Sequence, residues 1–154
     1  MIPARLFTVC LAALVLALAG CGSGPKAVTK AEYQTQLAKT GQAVTIAGQQ
    51  LGKVITIPEF NGAVTDLQKA LRDGEKTLKG VQPPANARAA NKQLAQAFGD
   101  LADALETVKE ARRVSIVKAR QALGQLGKTD AIKQGRAAIQ ELNQLGYSAS
   151  AAAP

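Results

Sequence analysis

The sequence predicts an all-α protein, a three- or four-helix antiparallel bundle on a short lipidated tether. Three observations predict it. Apolar residues recur at alternating steps of four and three through most of residues 29–147, the spacing of one helix face. Capping residues and Gly or Pro stops punctuate these stripes. No useful run alternates apolar with polar residues as a half-buried strand does, and residues 54–57 are too short to count. Abundant Ala, Leu, Gln and Lys with few aromatics fit helices packed through small and aliphatic side chains.

The first element is a leader. Arg5 supplies one positive charge, residues 6–18 are mostly apolar, and Leu18-Ala19-Gly20-Cys21 has the form of a lipobox. The apolar run is shorter than the roughly 20 residues that a membrane-spanning helix needs. Residues 1–20 therefore read as a lipoprotein signal peptide, cut before Cys21, which carries a diacylglycerol. Residues 21–28 form a flexible tether. Its seven residues after the cysteine reach about 25 Å at roughly 3.3 Å each, so the domain sits close to the bilayer.

Residues 29–147 hold the bundle. Thr29-Lys30-Ala31-Glu32 has the form of a capping box. Behind it Tyr33, Leu37, Thr40, Val44, Ala47, Leu51 and Val54 make a stripe with coiled-coil-like heptad spacing. Thr56-Ile57-Pro58-Glu59 opens a second helix, because Pro is tolerated in a first turn. Its stripe is Phe60, Val64, Leu67, Leu71, Gly74, Leu78 and Val81, stopped by Gly80 and Pro83-Pro84. A third helix opens at Ala85 or Asn86, with a stripe of Leu94, Phe98, Leu101, Leu105 and Val108. Arg112 takes the next stripe position, and apolar residues resume at Ile116, Ala119, Leu123 and Leu126 after a slip in phase. An unbroken helix to residue 125 would span about 60 Å, far beyond the first two, so a bend near residues 112–115 or an overhang is expected. The last helix follows a turn at Gly127-Lys128-Thr129-Asp130 and carries Ile132, Gly135, Ile139, Leu142 and Leu145. Residues 148–154 read as a disordered tail.

Charge and chemistry narrow the function. The chain has no histidine, Cys10 leaves with the signal and Cys21 is lipidated. His-dependent triads, thiol nucleophiles and the usual zinc or haem ligands are thereby removed, so neither enzyme activity, a cofactor nor a metal is expected. Asp100, Asp103, Glu106 and Glu110 lie along one side of the third helix and read as a solvated face with Glu106–Lys109 and Glu110–Arg113 pairs. Positive charge concentrates in residues 109–136: Lys109, Arg112, Arg113, Lys118, Arg120, Lys128, Lys133 and Arg136 stand against Glu110 and Asp130. Such a segment attracts an acidic protein, a wall polymer or anionic headgroups. Nucleic acid is not expected, given the export signal and the lack of aromatic stacking platforms. Gly41, Gly48 and Gly52 inside the first helix each cost about 1 kcal/mol relative to Ala, which close helix approach or a ligand cavity would offset.

Leu18–Cys21, Thr29-Lys30-Ala31-Glu32-Tyr33, Val81-Gln82-Pro83-Pro84-Ala85 and Leu145-Gly146-Tyr147 together carry a family resemblance. The chain resembles the small, largely uncharacterised helical lipoproteins abundant in high-GC Gram-positive bacteria. Members often have a cysteine in the first helix and another at the C-terminus; this chain has neither. The resemblance implies anchoring on the outer face of the cytoplasmic membrane, and it transfers no catalytic residue.

The expected function is that of a membrane-anchored extracytoplasmic lipoprotein, a non-enzymatic envelope binding or adaptor module that uses its basic helical segment. The alternative is a carrier or sensor of a small apolar ligand or lipid held between the helices, with a cavity beside Gly41, Gly48 and Gly74.

Overall fold

The computed structural model describes residues 27–54 and 56–149. The expected signal peptide, Cys21, the tether up to residue 26 and residues 150–154 lie outside the described residues. The helices are α1 (Lys30–Lys53), α2 (Ile57–Gly80), α3 (Arg88–Val114), α4 (Ile116–Leu126) and α5 (Asp130–Gln144), with a single 3-10 turn at Ala85–Ala87 before α3. Among the described residues no helix is long and apolar enough to cross a membrane.

All α-helix starts but that of α3 follow from side chains that satisfy orphan backbone donors. The Thr29 hydroxyl accepts the Glu32 N–H at 3.3 Å, and the Glu32 carboxylate accepts the Thr29 N–H at 2.8 Å. Thr56 and Glu59 repeat this capping box at α2, with Pro58 in the first turn. The bonds from Thr29, through its backbone N–H and then its hydroxyl, hold the Glu32 carboxyl below the usual range. At the far end of α5, Gly146 takes a positive φ of 78°, a conformation glycine adopts without strain.

The helices run up, down, up and down. Near one pole, the Tyr33 hydroxyl of α1 donates to Asn91 of α3, whose amide donates to the Leu78 carbonyl at the end of α2. Midway, Thr40, Gly74 and Phe98 meet. At the other pole, Phe60 and Val64 of α2 lie beside Lys109 and Arg112 of α3. The fourth helix comes in two pieces, α4 then α5, both packed on α3. Gly135 faces Ala97, and Tyr147 returns to the first pole, where its hydroxyl reaches Asn86 at 3.0 Å.

The expected interruption falls at Ser115, the last residue of the predicted interval. A single residue at φ −166° and ψ 157° ends α3 and begins α4, and its hydroxyl caps the new helix by accepting the Lys118 N–H at 3.1 Å. The apolar face can thus reverse along α3, which accounts for the phase slip after Arg112. Three boundaries need correction. The tether expected over residues 21–28 does not extend to its last two residues, because Ala27 bridges to Gln82 and the Val28 N–H donates to the Gln82 carbonyl at 3.0 Å. The third α-helix starts at Arg88, because residues 85–87 form the 3-10 turn that follows Pro83-Pro84. Order also continues past residue 147: Ala149 is buried and its N–H donates to the Asn143 side chain at 2.9 Å, while Ser148 accepts from Gln34.

The core is built from the predicted stripes together with small residues beside them, among them Ala63, Ala90, Ala95, Ala102 and Ala138. Tyr33, Leu37, Leu78, Leu94, Phe98, Leu105 and Leu142 are fully buried, and Tyr33 meets Tyr147 edge to face with ring centroids 5.3 Å apart. Gly74 permits the closest approach. A Cβ there would lie 2.8 Å from Phe98 and 2.9 Å from Thr40.

Candidate functional site

Midway along the bundle the core does not close. A cavity of about 400 Å³ opens there, lined from every helix: Val44, Thr45, Gly48 and Gln49 of α1, Leu67 and Leu71 of α2, Leu101 and Leu105 of α3, Leu123 and Leu126 of α4, and Ile132 of α5. Its position follows from the topology. Helices α4 and α5 pack on α3 and α1 packs on α2, and Leu126 and Ile132, on either side of the turn at residues 127–129, face the same space as residues 44–49 of α1. Val44, Leu71, Leu101 and Leu105 form a floor closed to solvent, while Leu67, Leu123 and Leu126 are only half-buried because one side of each faces the opening. Thr45 and Gln49 are the polar members of an otherwise aliphatic wall.

The glycines separate into two roles. Gly48 lines the cavity, and a Cβ placed on it would meet nothing within 4 Å. The same open space surrounds Gly52, so close helix approach does not explain this GxxxG pair. Gly74 was expected beside the cavity too. It lies instead in the tight contact with Phe98 and Thr40, and of Gly41, Gly48 and Gly74 it is Gly48 that forms cavity wall.

The eight basic residues are spread over α3, α4, the turn after it and α5. Lys109, Arg112 and Arg113 line a cleft of about 310 Å³ with Phe60, Asn61, Val64 and Thr65 at the α2–α3 end of the bundle. Lys118 and Arg120 are exposed on α4, Lys128 sits in the turn after it, and Lys133 and Arg136 are exposed on α5. Several spend their charge locally: Lys109 on Gln68 and Glu106, Arg113 on Glu110 at 3.1 Å, and Lys133 on Asp130 at 2.9 Å. Arg136 borders a shallow groove with Ile139 and Gln140.

The acidic run of α3 forms a laced surface. Asp103 pairs with Arg72 and Glu106 accepts from Gln68, whose amide also reaches the Ala102 carbonyl at 2.9 Å. The Gln68 bond, and then Lys109, hold the Glu106 carboxyl below its ordinary value. Glu75 is lowered likewise, first by Lys79 and then by Arg72. Among the described residues, no group of three or more His, Cys, Asp or Glu side chains could hold a metal ion.

No family model, curated protein or solved structure matches this chain. The site therefore stands on its own chemistry. An aliphatic wall with two polar groups favours apolar over charged contents, because burial of apolar surface is its main available interaction. The sequence stripes contained all seven of its aliphatic side chains from α2 to α5 but placed them in a closed core. The signal for the opening was the phase slip after Arg112 combined with a glycine on the facing turn of α1.

Proposed function

We propose that this protein is a non-enzymatic binding module that holds a small apolar ligand or lipid chain between its helices. We propose also that it is tethered to the outer face of a membrane through Cys21. The observation that carries the reading is the cavity beside Gly48, whose wall is drawn from all five α-helices and is aliphatic apart from Thr45 and Gln49. Its 400 Å³ lies within the range of small-molecule sites, roughly 300–1,000 Å³. At about 30 Å³ for each water-sized group, it accommodates roughly a dozen methylene-sized groups. The lipobox at Leu18–Cys21 supports the tether. Of the two functions expected from the sequence, the carrier or sensor gains support over the adaptor, because Lys109, Arg113 and Lys133 are already engaged by acids of their own helices.

The test is extraction of the full chain purified from its native membrane, with mass spectrometry of the organic phase, together with titration by a fluorescent phenylnaphthylamine probe. The expected result is a stoichiometric apolar compound and saturable probe binding. Gly48→Leu, which places a side chain in the cavity, should abolish both, whereas Gly52→Leu should leave both intact. Lipid-free protein that ignores the probe would overturn the reading.

A further inference from the structure

The cleft at the α2–α3 end is a second site of different chemistry. Arg112 occupies the stripe position one turn beyond the buried Val108, so its stem enters the end of the core beside Phe60 and Val64. Its Nε is buried and has no hydrogen-bond partner, and among the described residues no ion pair to its guanidinium is seen. Every neighbouring cation differs in this respect. Lys109 is held by Gln68 and Glu106, and Arg113 by Glu110. Three cationic side chains therefore converge on one cleft with no acidic residue in its lining, and one of them has an unused donor. A buried donor left unpaired costs about 1–3 kcal/mol, and a charged one costs more.

We infer that this cleft binds the phosphoryl group of a phosphate ester, with Arg112 as its principal ligand. A guanidinium presents parallel donors that match the oxygens of a phosphoryl group, while Lys109 and Arg113, each paired with an acid of its own helix, stand at the flanks. Asn61 and Thr65 add polar groups to the wall. The volume of about 310 Å³ exceeds what one phosphoryl group fills, and Phe60 and Val64 make the remaining wall apolar, so the ligand carries an organic substituent. That ester has two sources, a soluble metabolite or a phospholipid headgroup. Val114 and Val117 bear on the second, being 68% and 64% exposed on either side of Ser115 near the cleft. This site shares no lining residue with the aliphatic cavity, so it stands or falls separately from the proposal above.

The test uses the full chain and two probes at low ionic strength. Glycerol phosphate is titrated calorimetrically, and vesicles of phosphatidylglycerol are compared with phosphatidylcholine in a flotation assay. Binding of glycerol phosphate, weakened at least tenfold by Arg112→Gln and unchanged by Arg136→Gln, supports a site for a soluble ester. Binding confined to phosphatidylglycerol vesicles, lost in Arg112→Gln and weakened in the Val114→Ser, Val117→Ser double variant, supports the headgroup. Thermal unfolding of Arg112→Gln controls for folding, and its midpoint should not fall, since the change removes an unpaired charge. The inference is overturned if neither probe binds, or if Arg112→Gln and Arg136→Gln weaken binding equally.

Discussion

The Tyr33 hydroxyl donates to Asn91 Oδ1 at 3.0 Å inside the core, and the Asn91 amide passes the chain of bonds to the Leu78 carbonyl at 2.8 Å. One buried amide thus ties three helices and satisfies a carbonyl in the last turn of α2 that has no helical donor of its own. Asn91→Ala leaves that carbonyl and the phenol unpaired. We expect a loss of about 1–3 kcal/mol in urea unfolding followed by circular dichroism.

The same phenol gives the protein an alkaline limit. Burial, and next the adjacent Tyr147, push the Tyr33 hydroxyl well above its ordinary value of 10. The unfolded chain ionises this group from about pH 10, whereas the folded chain keeps the proton, so its contribution to stability is complete below that pH and declines above it. Tyr33→Phe lacks the hydrogen bond and should be less stable at neutral pH. The gap between wild type and variant should narrow between about pH 9 and about pH 11 in equilibrium unfolding. The lowered Glu75 works in the opposite direction, contributing above the usual carboxylate range and losing that contribution as pH falls through its folded value.

Two glycine-to-alanine changes should have opposite signs. At Gly74 the new methyl would stand 2.8 Å from the Phe98 ring, and the forced repacking should cost about 1–3 kcal/mol. At Gly48 the methyl enters open space and the helix gains up to about 1 kcal/mol of propensity. Thermal unfolding of the two variants checks both signs in one experiment.

Ser115 is the hinge between α3 and α4, and its hydroxyl is the cap of an eleven-residue helix. Ser115→Ala should cost about 1 kcal/mol. Hydrogen exchange should place the loss in α4, with faster exchange at residues 118–123 and little change in α1.

Much of this architecture was legible in the sequence, since helix stripes and caps are local. Thr29 with Glu32 and Thr56 with Glu59 set two helix starts, and most stripe residues, from Tyr33 and Leu37 to Ile139 and Leu142, are buried in the bundle. The cavity was not legible in the same way. Leu67, Leu123 and Leu126 look identical to core leucines in a stripe, and whether they meet depends on where α4 turns into α5 relative to α1. Charge was legible where it was local. The Glu106–Lys109 and Glu110–Arg113 pairs expected from their spacing are present, whereas the Lys109–Gln68 bond and the Arg72–Asp103 pair join two helices and leave no mark along the chain.

The pairing of Ala27 with Gln82, with the Val28 N–H on the Gln82 carbonyl at 3.0 Å, fastens the start of the described chain to the pole where α2 turns into α3. The 24 residues of α1 carry the bundle about 36 Å from there before Arg112 is reached. The tether proposed through Cys21 would therefore moor the molecule at this pole, with Lys109, Arg112 and Arg113 at the free end. An upright molecule would then sample a layer of space several nanometres out from its fastening, and only one lying along the membrane would bring those cations back to it.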